Sequence, residues 1–355
     1  MRSSRRTGRT VTQRDVAERA GVSVRTVSNV VNDFVYVSDD VRARVRRALE
    51  ELDYRPNLVA RSLSRGRSGL IALGLPLDVA YFSELASLLV AELERRSLVG
   101  LIDKTDGRAD RERELVLRSD NSNFFDGVII SPVGLDEAEL RRRASRKPMV
   151  LLGEKMLGGP FDHVAIDDRA AARAATEHLI ALGRRRIAVI GNVPQGKGRT
   201  ARHRMEGYRS AMRAAQRTYD RSLVMPVPRF RRENGAASMQ ILLDRDDPPD
   251  AVFCFNDLLA LGALRTILER GLRVPEDVAL IGFDDIEDSR YSLPALSTVS
   301  PDKARIAERA VDLVVRRLSG DTSPAGMIEA PWTLVGREST LGRGTPPQIS
   351  ARSPI

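Results

Sequence analysis

Apolar residues along this chain fall into two textures. Between Val11 and Leu52 they recur at three- and four-residue spacing in three short blocks: Val16, Ala17 and Ala20; Val27, Val30 and Val31; then Val41, Val45, Ala48, Leu49 and Leu52. That period places each block on one face of a helix, so three short helices closing on a common core are expected. Beyond Ser68 the texture changes to brief apolar runs separated by amphipathic stretches. The runs predict strands at residues 70–75, 98–102, 127–131, 149–152, 164–167, 186–191, 251–255 and 278–283. The stretches between them predict helices at residues 83–96, 108–119, 137–145, 169–182, 201–217, 234–243 and 258–270. Strand and helix in alternation imply parallel sheets covered on both faces, whose ligands bind beyond the carboxyl ends of the strands. The strands are too many for one compact sheet and the rhythm restarts near Asp167, which predicts two α/β lobes.

The ends of the first two helices are marked. Thr12 with Asp15 three residues on has the form of a capping box, Gly21 suits the left-handed turn after a helix, and Ser23 can cap the next one. If Val27, Val30 and Val31 pack inward, Val24, Arg25, Ser28 and Asn29 face out. Arg can bind guanine and Asn adenine through paired hydrogen bonds, so this outward face suits a DNA major groove. An ordinary αα-hairpin has the same periodicity, but small Ala17, turn Gly21 and apolar Val27 fall at the offsets of a helix-turn-helix. Ser38 precedes a third helix with Asp39 and Asp40 in its first turn, where the helix dipole favours negative charge. Pro56 breaks that helix and Asn57 can cap a short fourth one, which is marginal without a partner.

Three motifs then become specific together: Val11-Thr-x-x-Asp-Val-Ala-x-x-Ala-Gly-Val-Ser23, Thr26-Val-Ser-x-Val-Val-Asn32 and Tyr54-x-Pro-Asn-x-x-Ala-x-Ser-Leu63. This run resembles the lactose-repressor/galactose-repressor family of bacterial transcription regulators. The resemblance implies an N-terminal all-α helix-turn-helix domain followed by an α/β effector domain of two lobes, like periplasmic sugar-binding proteins. It implies DNA contacts from Thr12, Ser23, Val24, Arg25, Thr26, Ser28, Asn29, Asn32 and Tyr54. Asn57, Ala60 and Leu63 would form a hinge helix that pairs with that of a dimer mate in the minor groove, Leu63 wedging between two base pairs. Leu63 could instead be a linker residue covering the third helix.

Charge sharpens the picture. Through Arg67 there are 15 basic against 8 acidic residues, a net of +7, so that only +2 of the total +9 belongs to everything after it. A basic head on a nearly neutral body fits phosphate contact by the head alone. Met1–Thr10 is Arg-rich with no apolar run behind it, so it reads as a disordered basic arm and not as an export signal. No run of eighteen apolar residues is present, and Cys254 is the single cysteine, in keeping with a reducing compartment. The expected location is the cytoplasm, on the nucleoid.

The expected division is an arm at 1–10, a DNA-binding domain at 11–56, a hinge and linker at 57–68, an effector and dimerisation domain at 69–339 and a disordered tail at 340–355. Lobe 1 would comprise about 69–166 and 297–327, and lobe 2 about 167–296 and 328–339. The resemblance implies that the strand at 297–300 and the helix at 302–318 return to lobe 1, and that 329–338 adds a strand to lobe 2. The tail lacks leucine heptads, which favours a homodimer over a coiled-coil tetramer.

Within the effector domain the resemblance places Tyr81, Phe82, Thr200, Arg204, Phe230, Asn256 and Asp284 around a small molecule between the lobes. The aromatics would suit a sugar's CH face or a purine equally, and Asp with Arg suits a polyol. Tyr81 and Phe82 could also be core, Asp284 a cap or lobe-to-lobe salt bridge, and Asp257 is expected to cap the helix that follows it. Gly153-Glu-Lys155 and Lys303 depart from the family's pattern and leave the ligand open. Gly191–Gly198 has the spacing of a phosphate-binding loop, but Gly198 stands where Ser or Thr must hold magnesium, so a flexible ligand-side loop is preferred. The three histidines have no metal-ligand spacing and no catalytic constellation appears, so neither cofactor nor enzymatic activity is expected. The expected function is a regulator, a repressor released from a pseudo-palindromic double-stranded operator by a sugar-like effector. Alternatives are a solute-binding protein without regulatory role and a corepressor-type regulator answering a purine-like ligand.

Overall fold

The computed structural model describes residues 11–31, 36–54, 67–121, 124–142, 147–153, 159–193 and 198–352. It divides into two compact units, Met1–Ser68 and Gly69–Ile355.

In the first unit, α1 (Gln13–Ala20), α2 (Val24–Val31) and α3 (Asp39–Glu51) enclose Val16, Ala17, Ala20, Val27, Val30, Val45 and Ala48. The expected capping box forms: the Thr12 amide donates to Asp15 at 2.7 Å and the Asp15 amide to Thr12 Oγ1 at 3.4 Å. Gly21 turns the chain at φ 65°, a conformation costly for a residue with a Cβ. Ser23 caps α2 by accepting from the Thr26 amide at 3.1 Å, whereas Ser38 makes no side-chain cap bond to α3.

The second unit holds two sheets. The first contains β1 (Leu70–Leu75), β2 (Val99–Lys104), β3 (Gly127–Ile130), β4 (Met149–Leu152), β5 (Asp162–Ala165) and β11 (Met327–Glu329), all parallel, in the order β11-β5-β4-β3-β1-β2. Its helices are α4 (Ala80–Arg95), α5 (Ala109–Asn121), α6 (Glu137–Arg142) and α12 (Lys303–Leu318), with α12 packed on α4 and across β3 to β5. The second sheet runs β13-β12-β10-β9-β8-β6-β7, from β6 (Ile187–Asn192), β7 (Val224–Pro226), β8 (Ala251–Cys254), β9 (Ala279–Phe283), β10 (Ser297–Pro301), β12 (Trp332–Gly336) and β13 (Gln348–Arg352). Its helices are α7 (Asp168–Ala181), α8 (Arg199–Ala214), α9 (Arg232–Leu243), α10 (Asp257–Glu269), the short α11 (Glu287–Tyr291) and α13 (Glu338–Leu341). The central strands are continuous apolar runs, such as Leu280, Ile281 and Phe283, because parallel strands inside a covered sheet are buried on both faces.

Two expectations are corrected. The strand at 297–300 belongs to the second sheet, where Ser297 pairs with Ile281 beside β9; the chain crosses to the first lobe only after Pro301. Its hydroxyls explain the placement, since Ser297 bonds Thr340 at 2.7 Å and Thr298 donates to Asp257 at 2.7 Å, both in that lobe. Residues 329–338 add a strand to the second lobe as expected, β12 pairing with β10 after β11 has paired with β5 in the first sheet. The tail expected to be disordered contributes α13 and β13, the latter antiparallel to β12 over Trp332↔Arg352 to Gly336↔Gln348. Ile349 in β13 is 69% exposed, so backbone pairing rather than burial holds this strand. The edge strand β7 adds to the expected strands.

Candidate functional site

Two surfaces carry the candidate residues. On α2, Val24 and Arg25 are exposed and Thr26, Ser28 and Asn29 half-buried, while Val27 and Val30 fill the core. The sequence thus gives one short helix an apolar back and a polar front. Thr12 is exposed at the start of α1, and Tyr54 packs against the same core from the end of α3. Asn32, Asn57, Ala60 and Leu63, with the basic arm and the hinge helix, lie outside the described residues.

The second surface is a cavity of about 880 Å³ between the two lobes, and all seven effector candidates line it. Tyr81 and Phe82 stand in the first turn of α4, just past the carboxyl end of β1, their rings edge to face at 5.1 Å. Thr200 and Arg204 come from α8, Phe230 from the loop after β7, Asn256 follows β8, and Asp284 follows β9. Parallel strands all end at the same side of a sheet, which is why residues scattered over two hundred positions converge.

Arg204 is gripped on several sides. Its Nε donates to Asp168 Oδ1 at 2.8 Å, a second nitrogen donates to the carbonyl of Phe255, and the guanidinium lies 3.4 Å from the centre of the Phe283 ring. Asp168, which the sequence did not single out, neutralises it in a pair buried on both sides. The remaining arm reaches Asp284 Oδ1 at 3.8 Å, too far for a hydrogen bond. Burial therefore outweighs the attraction of Arg204, and the Asp284 carboxyl is held up to about 8. Asp284 also sits at φ 108°, a strained backbone for a residue with a side chain. Burial and the neighbouring Asp284 push the Tyr81 phenol well above its usual range.

Asn256, and not Asp257, caps α10 by accepting from the Leu259 amide at 2.9 Å, while also lining the cavity. Asp257 is wholly buried and accepts from Thr298, Ser289 and the Ile286 amide, so it braces the loop after β9 instead. Burial raises its carboxyl to about 7 against those three donors. In the segment with phosphate-loop spacing, Gly191 has a packing reason: a Cβ there would meet Phe255 at 2.5 Å. Residues 194–197 of that segment, like Glu154 and Lys155, lie outside the described residues.

The lobes are tied across the cleft. Arg231 pairs with Asp78 at 2.7 Å, and the Glu287 amide donates to Glu84 at 2.8 Å. These partners are far apart in sequence, and neither pair carries a motif. Among the described residues no group of acidic, His and Cys side chains could hold a metal, and no helix is long and apolar enough to cross a membrane. Cys254 is buried in β8, its thiol pushed up by burial.

Residues 12–57 match bacterial regulatory proteins of the lacI family, and residues 176–340 match a periplasmic binding protein-like domain. The HTH-type transcriptional repressor PurR of Haemophilus influenzae (strain PittEE) is 34% identical over 315 residues, covering 87% of this chain and 91% of that protein. A solved complex of the transcriptional regulator CelR with cellobiose is 30% identical with a TM-score of 0.68, covering 93% of this chain and 99% of that one. The Lac repressor dimer bound to operator and the anti-inducer ONPF gives a TM-score of 0.83 at 28% identity, covering 94% of this chain and 100% of that one.

Proposed function

From the premise that the chain belongs to the lacI family of bacterial regulatory proteins and is a ligand-responsive repressor that binds DNA, we propose that its effector is a sugar or sugar derivative held between the lobes. The observation that carries this reading is the convergence of Tyr81, Phe82, Thr200, Arg204, Phe230, Asn256 and Asp284 on one cavity. Its volume of about 880 Å³ is within the range of small-molecule sites. The aromatic rings offer apolar faces to a pyranose. Among the described residues no side chain donates a hydrogen bond to the Asp284 carboxyl, whose raised pKa leaves it able to donate to or accept from a hydroxyl. CelR, similar over nearly the whole chain, is solved with cellobiose.

Two copies of the chain would read the halves of a pseudo-palindromic operator, α2 presenting Val24, Arg25, Thr26, Ser28 and Asn29 to the major groove, with Thr12, Ser23, Asn32 and Tyr54 beside them. Asn57, Ala60 and Leu63 would pair at the centre of the site in the minor groove. The protein would work in the cytoplasm, on the nucleoid. A second reading, a purine-like corepressor, is favoured by the similarity to PurR and by the flat rings of Tyr81 and Phe82.

A thermal-shift panel of mono- and disaccharides, sugar phosphates, nucleosides and purine bases, followed by operator titration with each stabilising compound, tests both. A sugar that raises the melting temperature and loosens operator binding supports the first reading. A purine that raises it and tightens binding supports the second. Binding by Asp284→Asn and Arg204→Ala variants as tight as wild type would remove the cleft from either account.

A further inference from the structure

The ammonium of Lys303 sits where the two lobes, the loop carrying Asp284 and the helix carrying Tyr81 all meet. Lys303 is the first residue of α12, directly after the crossing from β10, and its side chain is only 13% exposed. Nζ donates to the backbone carbonyls of Asp284 and Asp285 at 2.8 Å each and lies 2.7 Å from Glu84 Oε2. Three donors are thereby matched with three acceptors, so the ammonium is satisfied in full. It also lies 5.6 Å from the centre of the Tyr81 ring.

The partners belong to opposite lobes. Glu84 is on α4 of the first lobe, one turn beyond Tyr81, and its other oxygen accepts from the Glu287 amide at the start of α11 in the second lobe. Asp284 and Asp285 both have left-handed backbones, φ 108° and 47°, and Lys303 bonds the carbonyls of both. Strain of this kind persists only where the surroundings hold it. On the second-lobe side Asp285 is held by Arg337 at 2.5 Å and Ser300 at 2.9 Å. On the first-lobe side the hold is Lys303 and Glu84.

We propose that Lys303, through Glu84, is the positioning residue that sets the Asp284 carboxyl and the Tyr81 ring at a fixed separation across the cleft. The proposal rests on the reading of those two side chains as effector contacts. The arrangement itself is independent of any ligand, so a ligand-free measurement tests it.

Hydrogen exchange of the full-length protein, followed on peptides covering residues 80–85 and 283–288, is the test. Lys303→Met is expected to speed exchange in both peptides by roughly tenfold or more while leaving the β8 peptide unchanged. Lys303→Arg, which keeps the charge and the donors, should return both toward wild type, and Glu84→Gln should loosen both in part. A residue that only anchored its own helix would affect residues 303–307 and neither of the two peptides. Wild-type exchange in Lys303→Met and Glu84→Gln, or Lys303→Arg behaving like Lys303→Met, overturns the assignment. Asp284→Asn keeps the carbonyl that Lys303 uses and should exchange like wild type. If that variant also answered effector normally, the reading of the cleft would fail while the positioning role stood.

Discussion

Asp284 carries the sharpest consequence at the scale of one residue. Its carboxyl is raised from the ordinary 3.8 to about 8, so the folded protein keeps a proton that the unfolded chain releases. The stabilisation linked to that proton is complete below the unfolded value and is lost as pH rises through about 8. Melting temperatures measured from pH 4 to 9 should therefore fall more steeply for wild type than for Asp284→Asn; parallel curves would show that the carboxyl is ionised throughout. On the DNA side, Arg25→Ala should cost about 1–3 kcal/mol of operator binding and relax preference at one base position if the contact is bidentate. A gel-shift titration against operators substituted at single positions measures both effects. Arg204 was legible through the family resemblance and Asp284 because it directly follows the apolar strand Ala279–Phe283. Asp168 and Glu84 were not, because what matters about them is a partner thirty-six positions away in one case and more than two hundred in the other.

Elements were legible wherever a hydrophobic period was present. The helix-turn-helix, the buried strands and the helices between them follow from that period, with ends shifted by a few residues. What the period cannot supply is the sheet to which a strand belongs; the resemblance implied the first lobe for β10, and the buried partners of Thr298 and Ser297 hold it in the second. Nor does it mark a strand held chiefly by backbone bonds, as β13 is. Helix packing shows a further hidden constraint: a Cβ on Gly262 of α10 would run into the Arg232 carbonyl of α9, and one on Gly235 of α9 into the Leu259 carbonyl of α10. The two helices cross on paired glycines. Gly262→Ala should destabilise the fold by about 1–3 kcal/mol through overpacking, read from the urea midpoint, although Ala is the better helix former. A midpoint at or above wild type would mean that the helices can separate without cost.

For the molecule as a whole, charge and linkage govern behaviour. With +7 of the net +9 in the first sixty-seven residues, operator affinity should fall linearly with the logarithm of salt concentration, while effector affinity should change little. A flat salt response of operator binding would contradict phosphate contact by the head. Whatever factor the effector applies to operator binding, the operator must apply to effector binding, which calorimetry with and without a duplex can compare. The strand β13 finally decides which face the second sheet turns to its neighbours in solution. Without it the outermost strand would be Trp332-Thr-Leu-Val-Gly336, an apolar ribbon with unpaired amides and carbonyls; with it the border is the more polar Gln348-Ile-Ser. The tail works as a selvedge, and a chain cut after Thr345 should fray into edge-to-edge oligomers visible by light scattering, with its operator-reading head intact.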